Sequence, residues 1–306
     1  MGCSPSTMIG TPGNAAAIAA IVSRRTASVS ASGILGRVRL CYRAPAVALP
    51  LTIDRIPWPS GDEFEQRYVR SSTPVIITDA MNDWPATRMW SIDYFAERFG
   101  SRTVTAGTTR EGVLEVSDDK GVHQVEVELG RYLESLRRGK TDYYVLSPVD
   151  ERLPELLEDV VAPGPCQKAH WHTVRLWLSG VDTCSPLHRD WPENLYAQIF
   201  GRKRFLMVHR DQTRRVYRRP FYSGAPNFSR MNAENVDYER FPLFRDVPRI
   251  EFEVAAGELL YIPRMWWHQV RSLEVSASIN FWFANGAVAM VAKLSQLYAK
   301  LRGLRI

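Results

Sequence analysis

The sequence predicts a mainly β fold with flanking helices, and three observations support this class. Apolar runs of strand length recur between residues 171 and 283, and glycine, proline or polar turns bound them. Segments with helical periodicity stand before and after these runs. The 306 residues, 45% of them hydrophobic, are enough to bury a large core. Barrels of roughly 200 to 250 residues commonly form one domain.

The first fifty residues differ in composition from the rest of the chain. They are rich in alanine and serine and contain five arginines but no lysine and no acid, so they supply +5 of the net charge of +6. We interpret residues 1–50 as a disordered or targeting-like extension, or as the result of a misassigned start codon. The remainder carries 34 basic and 33 acidic residues. This part of the chain therefore lacks the overall positive charge that is typical of nucleic-acid-binding proteins.

Residues 51–165 are predicted to form helices and strands that precede a barrel. Acidic or hydroxyl residues begin the predicted helices, and apolar alternation marks the strands. The expected helices are Asp62–Val69, Ser91–Phe99 and Glu128–Arg138. The expected strands are Val75–Thr78 and Thr103–Gly107, followed by a hairpin over residues 113–127 that turns at residues 118–121.

A metal-binding pattern stands within residues 166–284, the predicted barrel. His188 and Asp190 are two positions apart. His268 follows a later apolar run, eighty residues after His188. Residues i and i+2 of a strand point to the same side, so His188 and Asp190 can bind one ion while Arg189 faces away. Two histidines and one carboxylate form the ligand set that holds non-haem Fe(II) and leaves positions open for other ligands.

A second cluster of metal-ligand residue types is Cys166, His170 and His172. It lacks a fourth ligand at a plausible spacing, so a loop entering a strand is the preferred interpretation over a zinc site. The four cysteines form no Cys-x-x-Cys pair, which favours reduced thiols and a cytoplasmic location. The sequence has no run of about eighteen apolar residues, so it predicts no membrane-spanning helix.

Two further segments bear on substrates and partners. Residues 209–247, between two strands of the barrel, are rich in arginine and aromatic side chains. Such a segment could meet an acidic peptide, a phosphate-bearing molecule or RNA, or it could form a solvated edge. Residues 285–306 carry apolar side chains at helical intervals and predict a C-terminal amphipathic helix.

Four motifs occur in a fixed order between Trp177 and Phe283: His-x-Asp, Gly-x-Lys-Arg, Gly-Glu-Leu-Leu-Tyr-Ile-Pro and Trp-Trp-His. Together with residues 73–85 and 90–100, they make the chain resemble the Jumonji-C/cupin-8 group of Fe(II)- and 2-oxoglutarate-dependent oxygenases. Within that group the resemblance is to hydroxylases similar to factor inhibiting hypoxia-inducible factor. The resemblance implies a double-stranded β-helix (cupin or jelly-roll) core for an oxygenase domain over residues 51–284.

Carried over residue by residue, the resemblance implies that His188, Asp190 and His268 bind Fe(II). It implies that Lys203 pairs with the distal carboxylate of 2-oxoglutarate, although a solvated turn lysine is the alternative. The other residues implied to bind the cosubstrate are Ser185, Tyr144, Asn194 and Asn280; the two asparagines could instead satisfy backbone groups. No catalytic residue beyond the iron ligands is expected. The candidate substrate contacts are Arg189, Trp191 and Trp267.

The implied activity is hydroxylation of a carbon in an amino-acid side chain of a protein, a peptide or a small molecule. Fe(II), 2-oxoglutarate and O2 would be required, and succinate and CO2 released; attack on an N-methyl carbon would give demethylation. The alternatives are a tRNA-base hydroxylase with RNA as its partner, a zinc or manganese cupin, and a non-catalytic cupin-like binding protein. Related hydroxylases dimerise through C-terminal helices, so a homodimer is expected here, with packing onto the same protomer as the alternative. No membrane partner is expected.

Overall fold

A computed structural model describes residues 52–139 and 141–302, without the side chains of residues 295, 296 and 298–302. The predicted extension at residues 1–50 and the last four residues lie outside this range. The strands of the described residues are β1 (Asp54–Ile56), β2 (Val75–Ile77), β3 (Thr103–Arg110), β4 (Val113–Leu114), β5 (Val116–Ser117), β6 (Gly121–Val122), β7 (Gln124–Glu128), β8 (Tyr143–Pro148), β9 (Trp171–Ser179), β10 (Cys184–Arg189), β11 (Glu193–Phe200), β12 (Lys203–Val208), β13 (Ile250–Val254), β14 (Leu259–Ile262), β15 (Trp267–Ser272) and β16 (Ser276–Ala284).

Strands β9 to β16 form two antiparallel sheets that share a core. The first sheet has the order β14-β11-β16-β9 and the second has the order β10-β15-β12-β13. Tyr196 and Leu260 of the first sheet belong to one buried cluster with Phe205, Met207 and Val270 of the second. The chain crosses between the sheets along β9 to β12 and again along β13 to β16, which is the double-stranded β-helix that the sequence resemblance implied.

Other strands extend and connect these sheets. Strands β2 and β1 continue the first sheet beyond β14, while β8, β3 and β7 continue it beyond β9. Strand β4 pairs with both β3 and β10 and joins the two sheets at that edge. Of the hairpin predicted at residues 113–127, only the part around its turn forms, with β5 paired to β6. Its outer segments, β4 and β7, pair with β3 instead of with each other.

Helices flank the first sheet. They are α1 (Gly61–Phe64), α2 (Ala86–Met89), α3 (Ile92–Phe99), α4 (Leu129–Arg137), α5 (Val149–Arg152), α6 (Gly164–Gln167) and α7 (Gly286–Arg302). The predicted helix Asp62–Val69 forms α1 and a following π-helical turn, Glu65–Val69. Ser91 caps α3 by accepting from the backbone N–H of Tyr94. Aromatic side chains of these helices pack with the outer face of the sheet.

The turn between β11 and β12 requires glycine. Gly201 has a φ of +72°, and a Cβ atom there would lie 2.5 Å from the carbonyl oxygen of Val275. A positive φ is accessible to glycine at little steric cost. This turn carries the chain from the first sheet to the second and so determines where Lys203 enters the barrel.

Residues 209–247, called the insert from here on, cover the outer face of the second sheet. Trp267, Leu187 and Leu206 of that sheet form a buried cluster with Val216 and Phe244 of the insert. The insert contains two short 3-10 turns, Arg210–Gln212 and Pro242–Phe244. Because it rests on the strands that carry the predicted metal ligands, its side chains are placed beside them.

The remaining predictions concern the cysteines and the C-terminal helix. Cys166 and Cys184 are free and buried. Cys166 packs in the apolar core, and the Nδ1 of His170 accepts from the backbone N–H of Gly286. Packing and hydrogen bonding therefore account for these two residues. The predicted C-terminal helix is present as α7. Within the described residues, no helix has the length and apolar character needed to cross a membrane.

Candidate metal centre

Strand pairing places two histidines opposite each other in the second sheet. His188 of β10 pairs with His268 of β15, and Asp190 directly follows the end of β10. A β-bulge lies between Ser185 and His188, and bulges commonly re-aim side chains beside active sites. The metal-binding atoms of His188, Asp190 and His268 all lie within 4.8 Å of one another. The tertiary structure thus brings together the three predicted ligands.

Hydrogen bonds to backbone carbonyls orient both imidazole rings. The Nδ1 of His188 lies 2.8 Å from the carbonyl oxygen of Pro186, and the Nδ1 of His268 lies 3.1 Å from that of Trp266. A carbonyl accepts only, so each Nδ1 donates and each Nε2 keeps a free lone pair for a metal. Burial and the neighbouring His188 lower the pKa of His268, which favours the neutral form that a metal ligand requires.

Two donors fix the carboxylate of Asp190. The Nδ2 of Asn194 lies 3.0 Å and the indole Nε1 of Trp282 lies 3.1 Å from its Oδ2. The Nδ2 of Asn280 in turn donates to the Oδ1 of Asn194 over 2.9 Å. Both predicted asparagines therefore lie beside the carboxylate ligand. Trp282 was missed from the sequence, although it shares a strand face with Asn280 through the alternation of β16.

The turn before His268 is held by Asp190, the last residue of the first ligand motif, and by Glu193, which follows it. Met265 has a φ of +66°, and its backbone N–H donates to the carbonyl oxygen of Asp190 over 2.8 Å. Glu193 accepts from the Tyr261 hydroxyl at 2.7 Å and from the backbone N–H of Arg264 at 2.8 Å. Burial raises the pKa of Glu193. These contacts tie the loop at residues 263–266 to the Asp190 strand end.

Lys203 is fully buried inside the barrel and has no acidic partner among the described residues. Its Nζ donates to the hydroxyls of Tyr144 at 3.2 Å and Ser278 at 3.3 Å. Burial lowers the pKa of Lys203 to about 7. A buried ammonium without an anion is costly, and lysine is rarely buried unless it is paired. The surroundings of Lys203 therefore favour an anionic ligand.

The other residues predicted to bind the cosubstrate lie close to Lys203 or to the metal ligands. Tyr144 and Ser185 are both buried, and a hydrogen bond with Ser185 opposes the rise that burial causes in the pKa of Tyr144. The ring of Tyr144 lies 5.4 Å from that of Trp177. Ser278, which contacts Lys203, was missed from the sequence because a serine in a mainly apolar strand carries no distinct signal.

The three predicted substrate contacts have different positions. Trp191 is 51% exposed, and its Nε1 donates to the Oδ1 of Asn227 over 3.1 Å. Trp267 is 0% exposed and lies beneath the insert, where its Nε1 donates to the Thr213 hydroxyl. Arg189 faces away from the metal side, as predicted, and donates to the same hydroxyl while its guanidinium lies 5.0 Å from the Trp267 ring. Of the three, Trp191 is the one open to a large ligand.

The insert also reaches the metal ligands directly. The ring of Phe228 stacks on that of His188, with 5.1 Å between centroids and 16° between planes. The backbone N–H of Arg189 donates to the carbonyl of Asn227, and that of Ser229 donates to the carbonyl of Leu187. Phe228 could not be singled out from the sequence, because nothing in the insert shows which of its aromatic residues meets the ligand strand.

The donor set fits a divalent transition metal. Two imidazoles and one oriented carboxylate lie close together, which is the ligand set of the 2-His-1-carboxylate centre. The buried ammonium of Lys203 separately fits a ligand with a carboxylate at its far end. His188, Asp190 and His268 would hold Fe(II), and Lys203 with Tyr144 and Ser278 would hold the distal end of a dicarboxylate.

Comparison with known proteins is consistent with this geometry. The cupin-like domain family model matches residues 61–287. Lysine-specific demethylase 8 of Xenopus tropicalis is 28% identical over 249 residues, which cover 80% of this chain and 55% of that protein. Lysine-specific demethylase JMJ30 of Arabidopsis thaliana is 31% identical over 249 residues, which cover 78% of this chain and 56% of that protein.

A third relative matches over more of its own length. The human bifunctional peptidase and (3S)-lysyl hydroxylase JMJD7 is 27% identical over 276 residues, which cover 78% of this chain and 86% of that protein. The chain spans a little over half the length of the two demethylases. Particular similarity to factor inhibiting hypoxia-inducible factor stays a prediction. The family match extends over most of the chain and contains the three metal ligands, so the chain belongs to the cupin-like domain family, the JmjC proteins among its relatives.

Proposed function

We propose that this protein is an Fe(II)- and 2-oxoglutarate-dependent dioxygenase that hydroxylates a carbon of an amino-acid side chain. The observation that carries the proposal is that His188, Asp190 and His268 lie close together while the ammonium of Lys203 is fully buried with no acidic partner among the described residues. In a metal-binding cupin without an anionic cosubstrate, burial would destabilise this ammonium with no ion pair to compensate. In an oxygenase, a carboxylate of 2-oxoglutarate would supply that ion pair.

Different residues of this chain would bind the metal and the cosubstrate. His188, Asp190 and His268 would bind the metal, while Asn194 and Trp282 hold the Asp190 carboxylate in place. The ammonium of Lys203 and the hydroxyls of Tyr144, Ser278 and Ser185 would bind the distal carboxylate of 2-oxoglutarate. When bound, iron, 2-oxoglutarate and O2 supply the oxidation of a C–H bond, with release of succinate and CO2. The buried barrel walls exclude water from this chemistry.

A protein or peptide is the favoured substrate class. The relatives are named as lysine-specific demethylases and as a lysyl hydroxylase, and those names describe reactions of amino-acid side chains. They also favour demethylation of an N-methyl lysine as the second candidate reaction. The tRNA-base alternative lacks such support, since the chain beyond residue 50 is nearly balanced in charge. We further propose a cytoplasmic location, in keeping with the free thiols of Cys166 and Cys184.

The proposal includes a homodimer that forms through the C-terminal helix α7. Apolar side chains of α7 are largely exposed: Met290 at 61%, Val291 at 57%, Leu294 at 60% and Leu297 at 55%. Such a contiguous face is favourable to bury against another apolar surface. We propose that a second copy of the chain covers it.

The function is tested by measuring succinate formed from 2-oxoglutarate with Fe(II), ascorbate and air. Wild-type protein should turn over 2-oxoglutarate slowly even without substrate, and Asp190→Ala and Lys203→Ala should abolish this turnover. Formaldehyde measured in the presence of N-methyl-lysine peptides separates demethylation from hydroxylation. Absence of both succinate formation and 2-oxoglutarate binding in the wild type would refute the oxygenase and favour a non-catalytic cupin.

A further inference from the structure

A cavity of about 200 Å³ lies between β4, β10 and the insert. Its wall includes Pro186, whose carbonyl oxygen orients His188, and Phe228, which stacks on the same ring. The cavity thus borders two residues that contact the metal ligand His188. Pockets that hold a whole small ligand are typically about 300 to 1,000 Å³, so this cavity is suited to one side chain of a larger ligand.

The lining of this cavity combines an apolar wall with a few charged and polar side chains, and it contains no acidic residue. Arg219 and Arg230 contribute the charges, and Asn232 and Gln269 contribute amides. Arg219 is fixed in position by an ion pair with Asp118 at 2.7 Å and a hydrogen bond to the carbonyl of Val116 at 3.1 Å. Arg230 is exposed, and among the described residues its guanidinium forms no ion pair or hydrogen bond. One guanidinium at the cavity is therefore available for an anion.

The neighbouring segments add positive charge. Residues 209–230 contain six arginines and one acidic residue. Arg218 forms a β-bridge with Ser229, and Phe228 forms one with His188, so three chain segments run side by side at the metal-ligand strand. Neither Arg189 nor Arg218 has an ion pair in the part of the chain that the structure describes. Unpaired guanidiniums this close together are stabilised by an anionic ligand.

Exposed aromatic side chains accompany this charge. Tyr222 is 91% exposed, Phe221 is 70% exposed and Trp191 is 51% exposed. Phe221 and Tyr222 belong to the insert turn that donates from the Gly224 N–H to the carbonyl of Asp118. Aromatic residues and arginine are the residue types that most often anchor protein ligands. A peptide is favoured over RNA as the occupant, because the positive charge is local to the insert and the chain beyond residue 50 is balanced.

We propose that this cavity binds an aspartate or glutamate side chain of a peptide substrate, next to the residue that is oxidised. Arg230 binds the carboxylate, and Arg219 is a fixed second positive charge in the wall. The inference rests on the proposed function, since it assumes a peptide presented to the metal centre. Its specific content is the requirement for an acidic residue close to the target residue.

The test is a binding measurement that needs no turnover. Short fluorescein-labelled Gly/Ser peptides with a central lysine flanked by glutamates, by glutamines or by arginines are titrated with the Mn(II)- and 2-oxoglutarate-loaded protein, and anisotropy is recorded. The same titration is run with single-stranded RNA. The variants are Arg230→Gln, Arg230→Glu, Asn232→Asp, which adds a negative charge to the wall, and Arg88→Glu, which reverses an exposed arginine on α2. Thermal unfolding confirms that each variant is folded.

The glutamate peptide should bind wild type about tenfold more tightly than the glutamine peptide, in line with a charge-assisted hydrogen bond. Arg230→Gln should remove this preference, Asn232→Asp should weaken it, and Arg230→Glu should shift it towards the arginine peptide. Arg88→Glu should behave as wild type. Equal binding of the glutamate and glutamine peptides, or a preference that survives both Arg230 variants, overturns the proposal. Tighter binding of RNA that is lost in Arg230→Glu overturns it in favour of a nucleic-acid surface. Because peptide binding is read without turnover, these outcomes are distinguishable from a failure of the oxygenase assay.

Discussion

Phe228 of the insert stacks on His188, with ring centroids 5.1 Å apart and planes 16° apart. The stack joins the insert, which contains two short 3-10 turns, to a metal ligand. His188 is otherwise oriented by one hydrogen bond from its Nδ1 to the carbonyl of Pro186. The insert is therefore expected to influence metal binding as well as substrate binding.

Phe228→Leu should weaken Mn(II) binding about two- to tenfold, because the ring stack that orients His188 is lost while apolar volume is largely kept. Isothermal titration calorimetry measures the affinity. Phe252→Leu is the matched control, since Phe252 stacks on Phe205 at 5.7 Å and 5° between planes without touching a ligand. Equal losses in the two variants would contradict an orienting role of Phe228.

Trp282→Phe should lower Mn(II) affinity about 10- to 100-fold, the usual effect of removing a group that orients a metal ligand. The substitution deletes the indole N–H that donates to the Oδ2 of Asp190 over 3.1 Å. Trp177→Phe is the control, because the Trp177 Nε1 has no acceptor among the described residues. Unchanged affinity in Trp282→Phe would show that Asn194 alone holds the carboxylate.

Lys203 should make the unfolding free energy of the ligand-free protein depend on pH. Burial lowers its pKa to about 7 in the folded state, whereas the unfolded value is about 10.4. Between these values the unfolded chain binds the extra proton, so stability rises as pH increases, by up to about 1.4 kcal/mol per pH unit. Chemical denaturation from pH 7 to pH 10 should show this slope in wild type and a smaller slope in Lys203→Met.

The same group sets the pH dependence of 2-oxoglutarate binding. The carboxylate binds the charged ammonium, so affinity should fall as pH rises above about 7, by up to about tenfold per pH unit. Lys203→Met should bind weakly at every pH. A pH-independent affinity in wild type would mean that Lys203 does not contact the cosubstrate.

Thr213→Val should cost about 1 to 3 kcal/mol of unfolding free energy, because two donors lose their acceptor in a partly buried region. The hydroxyl of Thr213 accepts from Arg189 at 3.2 Å and from the Trp267 Nε1 at 3.1 Å. Urea denaturation gives the value. Thr213→Ser keeps the hydroxyl and should lie close to wild type; a loss as large as that of the valine variant would instead point to packing of the methyl group.

The exposed face of α7 should support a homodimer. Leu294→Glu combined with Leu297→Glu places charge on that face and should give a monomer by size-exclusion light scattering, while wild type is a dimer at micromolar concentration. A wild-type monomer at that concentration would remove the assembly proposal and leave the oxygenase proposal intact.

Much of the site could be predicted because its signals are local. The i, i+2 spacing predicted that the side chains of His188 and Asp190 point to the same side, and Gly201 fits the positive φ of a tight turn. The same alternation along β16 would have placed Trp282 with Asn280, but a tryptophan in an apolar strand resembles core. Trp267 was a candidate substrate contact from the sequence. Because its neighbour His268 faces the metal side, Trp267 faces the insert, and it is buried there.

The sequence by itself determined the β class and the spacing of His188 and Asp190, because these depend on residues close together in the chain, whereas Lys203 was implied only by the family resemblance. The tertiary structure decided the pairing of His188 with His268, the hydrogen bonds from Asn280 through Asn194 to Asp190, and the contact of Phe228 with His188. Each of these joins distant segments. Such contacts form only when the whole barrel closes and the insert packs on it, and no local pattern encodes which segments then meet.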